Sequence, residues 1–183
     1  YSLAGGVLSL AVMILLIYLV KGVSPVGVGV AGAVAHNAAQ VGVAMLVLLL
    51  AGRPPFEQLD RDKCLRMALI HELGEVYAGD ITPVDGISLE EKHRMEKASL
   101  AKVLDGLPVA GELTELWEEF EAGTSAEARF LRQIDRLELG FQAALLKAEK
   151  NPEMDEFLDS ARKAVQDPYL ASLLETVRGL SGD

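Results

Sequence analysis

Two long apolar runs open the chain and set its first fifty residues apart from the rest. The first extends from Leu3 to Val20 without a charge and is about long enough to cross a bilayer as a helix. The second extends from Val26 to Leu50 and is rich in glycine and alanine, which let helices approach closely in lipid. The pattern predicts two membrane-spanning helices, joined at KGVSP into a hairpin within residues 1–51. A buried core helix or the apolar part of a signal peptide would also explain the first run.

The pattern changes at the linker GRPPFEQLDRD, where glycine, proline and the first cluster of charges appear. From Asp60 to Ala78, apolar residues recur with the period of a helix. Three more amphipathic segments follow at GELTELWEEFEA, residues 154–166 and residues 169–180. No alternating strand pattern is present, so we predict an all-α helical bundle over residues 52–183.

Two further helix starts are marked by capping residues. Ser88 precedes Glu91 by three positions, and Thr124 precedes Glu127 by the same spacing. In such a box the hydroxyl accepts a hydrogen bond from a backbone N–H that the first helical turn leaves unpaired. The sequence therefore predicts helices that begin just after Ser88 and just after Thr124.

The distribution of charge supports this division of the chain. Lys21 is the only charged residue of the first fifty, so nearly all of the 17 basic and all of the 27 acidic side chains lie beyond it. An acidic domain without a local basic patch repels phosphate backbones, so a nucleic acid partner is not expected. A small phosphorylated substrate is compatible, because one bound metal ion inverts the local field. The single cysteine, Cys64, excludes an intrachain disulfide and fits a reducing compartment.

A histidine and several carboxylates gather in the segment HELGEVYAGD. His71 and Glu72 are adjacent, Glu75 lies one helical turn beyond His71, and Asp80 ends the segment. Far downstream, Asp135 lies among apolar residues in FLRQIDRLELGF. Metal-dependent hydrolysis of a phosphoester needs imidazole and carboxylate ligands and a further acid or base. The alternative is structural, with a hydrogen-bonded core histidine and carboxylates on solvated helix faces.

The apolar N-terminal segment resembles a known family. The stretch GVSPVGVGVAGAVAHNAAQ, within residues 2–50, resembles part of the Gx transporter family, also called heptaprenyl diphosphate synthase component I. The resemblance implies membrane association through the N-terminal helices. If the predicted spans are real, the charged C-terminal domain is expected to face the cytoplasm. If these helices are not true spans, the chain is expected to be cytoplasmic. An alternative function is therefore a membrane transport component with a non-catalytic helical domain.

The remainder resembles a second family. The blocks HELGEVYAGDI, EEKHR and SAEARFLRQIDRLE, in this order, resemble the HD-domain metal-dependent phosphohydrolases of the 5'-deoxynucleotidase type over residues 60–178. The resemblance implies hydrolysis of (deoxy)nucleoside 5'-monophosphates with a divalent ion, cobalt, manganese or magnesium, and a possible homodimer. It implies His71, Glu72 and Asp135 as metal ligands. It also implies Glu75 and Asp80 as the catalytic acidic residues.

Three departures from this family pattern are visible. The paired ligands are His71 and Glu72, where the family has histidine and aspartate, and the longer side chain moves the carboxylate by about 1.5 Å. The family's first metal histidine comes from an earlier helix, which looks replaced here, so His36, the one histidine before His71, is the candidate for the fourth ligand. The family's early substrate contacts have no counterpart, so the substrate-binding residues are unknown.

The origin of this composite chain and its activity each leave an alternative open. The chain is either a genuine membrane-anchored fusion or a junction of two truncated proteins within VGVAMLVLLLAG. The departures at Glu72 and in the early helix also leave room for a catalytically inactive helical bundle used for association.

Overall fold

A computed structural model describes residue 13 and residues 25–79, 81, 85–148 and 154–180. Every regular element among these residues is helical, which confirms the all-α prediction. The helices are α1 (Pro25–Leu50), α2 (Arg61–Ile70), α3 (Glu75–Ala78), α4 (Leu89–Val103), α5 (Ala110–Ala122), α6 (Ala126–Ala148), α7 (Met154–Ala164) and α8 (Pro168–Leu180).

Helix α6 is the centre of the bundle. It contacts α1, α2, α5, α7 and α8, whereas α4 packs on α3 and α5. Its apolar face supplies Leu131, Ile134 and Leu137, none of which is exposed to solvent. The main core forms where this face meets side chains of α1, α2, α5 and α8. Any polar group that α6 carries on this side is therefore taken out of water.

Helix α1 is part of this bundle. Ala39, Val43 and Val47 recur at a spacing of four, and all three are buried, with Val43 and Val47 in the main core. The predicted helix over residues 26–50 is confirmed, but its prediction as a membrane span is corrected: among the described residues, no helix is long and apolar enough to cross a bilayer. An apolar helix face has the same driving force to leave water in both settings, so the run alone could not distinguish them. The first predicted span, residues 3–20, lies outside the described residues apart from Met13.

The predicted boundary at residue 52 stays a prediction. The residues just before it belong to the same core as the residues just after it, because Ala51 is buried in one cluster with Phe56 and Leu59. Four apolar side chains on the other side of α1 are exposed, namely Val41, Met45, Leu48 and Leu49.

Three helices begin at residues whose side chains accept a hydrogen bond from the backbone of the first helical turn. Asp60 caps α2 by accepting from the N–H of Lys63 at 3.1 Å, and Ser88 caps α4 by accepting from the N–H of Glu91 at 3.2 Å. The start of α6 is one residue later than predicted. The capping oxygen belongs to Ser125, which accepts from the N–H of Ala128 at 3.1 Å.

The helix predicted over residues 60–78 is interrupted. After Ile70 the chain continues as a turn in which the N–H of Leu73 bonds to Ile70 O and that of Glu75 to Glu72 O, each three residues back. This tighter winding keeps the direction of the chain close to helical, so the apolar period runs on through the break. The break falls within the segment that carries the candidate site.

Glu138 is a buried carboxyl group where α6 meets α1. Gly42 of α1 has no side chain here, and a Cβ atom at that position would lie 3.0 Å from Glu138 Oε1. Gln142 donates a hydrogen bond to the same oxygen. Burial, opposed by this hydrogen bond and reinforced by the charge of Asp135, raises the pKa of Glu138 from 4.5 to about 7. The folded state therefore favours the protonated form.

This shift predicts a pH-dependent stability. Because the folded pKa is raised, the native state binds more protons than the unfolded state between pH 4.5 and pH 7, and the free energy of unfolding falls as pH rises through that window. The loss amounts to about 3 kcal/mol and is complete above the folded pKa. We expect Glu138→Gln, which keeps the shape, to gain about this much over the native protein between pH 5 and pH 8. Urea unfolding across this range measures the difference, with exposed Glu156→Gln as the control. A native curve parallel to that of Glu138→Gln would contradict the assignment.

Candidate active site

His71 lies where α2 ends, and its backbone N–H still donates to Met67 O at 2.9 Å. The ring is buried, and its Nδ1 lies 2.9 Å from the carbonyl oxygen of Ala68. Because a carbonyl oxygen only accepts hydrogen bonds, Nδ1 carries the proton, and Nε2 is the acceptor of the neutral ring. Phe120 packs edge-on against the imidazole with 5.2 Å between ring centroids. The ring is therefore held in one tautomer and one orientation.

Asp135 reaches the same place from α6. Its Oδ1 lies 4.0 Å from His71 Nε2, and neither atom has a hydrogen-bond partner in the described part of the chain. Burial lowers the pKa of His71, and the opposing charge of Asp135 does not restore it, so the ring is neutral at pH 7. Two buried acceptors thus face each other, which is costly unless a cation lies between them. The pair therefore fits a divalent metal ion, whose usual ligands are neutral imidazole and carboxylate.

Glu72 and His36 form a second pair. His36 Nε2 lies 3.1 Å from Glu72 Oε2, with the histidine side chain 36% exposed and the glutamate side chain 13% exposed. Helix α1 thus brings a histidine to the site from before the HELGEVYAGD segment. Among the described residues, no three histidine, cysteine or carboxylate side chains converge on one point. The four predicted ligands stand as two pairs, and their role in binding metal stays a prediction.

Three of the four predicted ligands border a pocket of about 580 Å³, a size usual for small-molecule sites, and His36 is not part of its wall. His71, Glu72 and Asp135 line it, and so does Glu75 from the start of α3. Four of the predicted site residues therefore share one cavity. The remaining acidic candidate, Asp80, lies outside the described residues.

The rest of the pocket wall was not predicted from the sequence. One face of α4 contributes Leu89, Lys92, His93 and Glu96, which are spaced as i, i+3, i+4 and i+7. Helices α5 and α6 add Phe120, Glu121, Arg132 and Arg136. The EEKHR block is part of the family resemblance, and its helical spacing is the signal that could have placed Lys92 and His93 on one face.

A close packing contact supports the turn after His71. Trp117 of α5 is 1% exposed, and its Nε1–H donates to the carbonyl oxygen of His71 at 3.3 Å. A Cβ atom on Gly74 would lie 3.1 Å from Trp117 Cζ2 and 3.0 Å from Glu96 Cβ. Only glycine therefore lets the turn lie this close to α4 and α5, and this packing positions His71 and Glu72.

The chain is similar to characterised proteins over this same region. It is 38% identical over 132 residues to 5'-deoxynucleotidase HDDC2 of Mus musculus, and 38% identical over 122 residues to the Homo sapiens protein of that name. The matches cover 68% and 64% of this chain but 66% and 60% of those relatives. The chain thus spans less than two thirds of the length of these relatives.

Solved structures share the fold. The PH0347 protein from Pyrococcus horikoshii superposes with a TM-score of 0.63 at 26% identity, covering 97% of this chain and 99% of that one. A protein from Magnetospirillum magnetotacticum, described as a predicted metal-dependent phosphohydrolase, gives a TM-score of 0.60 at 24% identity, covering 79% and 77%. At this identity the second likeness shows the fold alone.

Two family models divide the chain with an overlap. The model for heptaprenyl diphosphate synthase component I matches residues 1–52, in agreement with the predicted resemblance. The HD domain model matches residues 42–177, and so begins within α1. The shared residues are those through which α1 packs into the bundle core. Because the HD domain match covers most of the sequence, together with the helical bundle that carries His71 and Asp135, the chain belongs to the HD domain family.

Proposed function

We propose that the protein is a metal-dependent phosphohydrolase that releases phosphate from deoxynucleoside 5'-monophosphates. The observation that carries this proposal is the buried pair of His71 Nε2 and Asp135 Oδ1, two acceptors 4.0 Å apart at the edge of a pocket. The 5'-deoxynucleotidase relatives support the substrate class. Cobalt, manganese or magnesium is the proposed ion.

His71 and Asp135 would hold the ion, with Glu72 and His36 as further ligands. A divalent cation at this place supplies positive charge and Lewis acidity for a phosphoryl group. His71 suits the role because Nδ1 is fixed on Ala68 O, so Nε2 is presented without reorganisation. If Glu72 binds the ion, its carboxylate can no longer be shared with His36 alone. The contact between His36 Nε2 and Glu72 Oε2 is therefore expected to change when an ion binds.

The reaction itself is a hydrolysis at phosphorus. The oxygen of a water molecule forms a bond to phosphorus, the bond from phosphorus to the 5' oxygen breaks, and the nucleoside leaves with a 5' hydroxyl group. One proton moves from the water to the leaving oxygen. Glu75 lines the pocket and is assigned to take this proton from the water and pass it to the leaving 5' oxygen. Asp80 is assigned as the second acidic residue.

The direct test is phosphate release from a panel of deoxynucleoside 5'-monophosphates, with cobalt, manganese or magnesium added in turn. We expect metal-dependent turnover that Glu75→Gln lowers by about 100-fold or more, since general acid–base groups contribute factors of this order. The neighbouring exposed residue Val76 provides the control variant Val76→Ala. Absence of turnover from folded protein with every metal would overturn the proposal and favour the inactive bundle.

Two accompanying proposals concern assembly and location. Homodimer formation, membrane association through the N-terminal residues and a cytoplasmic helical domain all stay predictions. Sedimentation of the purified full chain tests the first. Separation of cell membranes from the soluble fraction tests the other two.

A further inference from the structure

The EEKHR block places a lysine in the wall of the pocket. Lys92 and Glu96 lie one turn apart on the face of α4 that borders the cavity, and the cavity also contains His71 and Asp135. The Lys92 side chain is only 12% exposed, and its Nζ hydrogen bonds to Glu96 Oε1, on a side chain that is 4% exposed. Lysine is rarely buried to this extent unless it is paired.

The pocket needs a cation if it is to take a phosphate group. Carboxylates line it from several elements, namely Glu72, Glu75, Glu96, Glu121 and Asp135. A phosphate dianion would meet repulsion from each of these groups at short range and low dielectric. One divalent ion and the basic side chains of the wall are the groups that offset this repulsion.

The basic side chains of the pocket wall differ in their hydrogen-bond and ion-pair partners. Arg132 donates from Nε to Phe120 O at 3.1 Å and from Nη2 to Glu121 O, so its guanidinium group caps the end of α5. Arg136 Nε lies 3.9 Å from Asp135 Oδ2, beside a proposed metal ligand. Lys92 hydrogen bonds to Glu96 of its own helix, which is not a proposed metal ligand.

The pairing with Glu96 keeps Lys92 charged. Burial alone would lower the pKa of Lys92, but the hydrogen bond to Glu96 and the charges of Glu96, Glu75 and Glu121 raise it above its ordinary value. An ammonium group has three donors in different directions. It can therefore keep the bond to Glu96 while it donates to an oxygen in the pocket.

We propose that Lys92 binds the phosphate group of the substrate and that Glu96 positions its ammonium group for this contact. The inference rests on the proposed function for the identity of the substrate, a nucleoside monophosphate. Lys92 is thus a substrate-binding residue, and Glu96 is a positioning residue. This assigns a contact to a site for which the sequence indicated none.

The test is a calorimetric titration with inorganic phosphate in magnesium buffer. We expect Lys92→Met to weaken phosphate binding by about 10- to 100-fold, the range for a hydrogen bond to a charged group. The matched control is Lys97→Met on the same helix, which removes the same charge from a lysine that pairs with Glu118 outside the pocket. The control should bind phosphate as the native protein does.

A second variant separates a loss of phosphate binding from a loss of the fold. Lys92→Met leaves Glu96 buried without its cation, which can destabilise the fold. The double variant Lys92→Met with Glu96→Gln removes both charges and should bind phosphate as weakly as the single variant. Native-like phosphate binding by either folded variant, or no phosphate binding by the native protein, would overturn the inference.

Turnover separates this inference from the proposed function. If the native protein binds phosphate through Lys92 but releases none from any nucleoside monophosphate, the proposed function fails and the phosphate site stands. If turnover is present and Lys92→Met changes KM no more than Lys97→Met does, the function stands and the phosphate site fails. A rise in KM specific to Lys92→Met supports both.

Discussion

Replacing His71 with alanine is expected to reduce the affinity for a divalent ion by at least about 100-fold, beyond the loss that an outer-shell partner causes. The reason is that Nε2 is the one nitrogen of the ring left to bind an ion, because Nδ1 is held by Ala68 O. Asp135→Asn should have a similar effect by removing the facing negative charge. Equilibrium dialysis with manganese measures both, and phosphate release should fall in parallel.

The control for this prediction is His93→Ala. His93 also lines the pocket, but its Nε2 pairs with Glu118 at 3.2 Å and its ring stacks on Trp117. Its removal should leave metal affinity unchanged within a few-fold. Equal metal binding by the native protein, His71→Ala and Asp135→Asn would refute the assignment of the site.

The same pair gives a measurement that needs no metal. In the metal-free protein, His71 Nε2 and Asp135 Oδ1 are two buried acceptors that face each other. Asparagine at position 135 offers an amide donor in nearly the same volume. We expect Asp135→Asn to raise the free energy of unfolding of the metal-free protein by about 1 kcal/mol, the usual value of one hydrogen bond. A clear loss of stability would mean that the pair is already satisfied in the native protein.

Removing the side chain of Trp117 is expected to cost about 3–5 kcal/mol of unfolding free energy, the range for deleting a large aromatic group from a core. Trp117 is 1% exposed, donates to His71 O and packs against the turn at Gly74. Trp117→Ala therefore leaves a cavity and an unpaired carbonyl oxygen. Urea unfolding followed by circular dichroism measures the loss, because the chain contains only this one tryptophan.

Two comparisons define the origin of that loss. Trp117→Phe keeps most of the ring but not the N–H, so it should cost less, about 1–2 kcal/mol. Tyr77→Ala removes an aromatic side chain that is 65% exposed and should change stability by about 0.5 kcal/mol. If Trp117→Ala costs no more than Tyr77→Ala, the packing of α5 against the turn is not what holds His71 in place.

The sequence predicted the helical class and most of the helix starts because both depend on local interactions. Asp60 and Ser88 accept hydrogen bonds from N–H groups three residues ahead, so their effect is visible in a short window of sequence. The same window missed the turn at residues 71–74 and placed the α6 cap on Thr124 instead of Ser125. The apolar period is nearly the same for a continuous helix and for one interrupted by a tight turn. Threonine and serine are both good capping residues, so the pattern does not say which of the two neighbours caps the helix.

The site was predicted as a set of residues and not as an arrangement. His71, Glu72 and Glu75 are close in sequence, and the structure gathers them on one pocket with Asp135. The pairing of His36 with Glu72 and the contribution of Lys92 come from helices α1 and α4, whose positions are set by packing at long range. No local pattern encodes those distances.

By itself, the sequence determined the all-α class, the helix cap at Ser88 and the presence of a histidine and carboxylate set, because hydrogen bonds and apolar periods act within a few residues. Only the tertiary structure decided that α1 joins the bundle core, since an apolar face leaves water equally well for lipid or for protein. It also decided that His71 faces Asp135, residues far apart in the chain that meet only because α2 and α6 pack together.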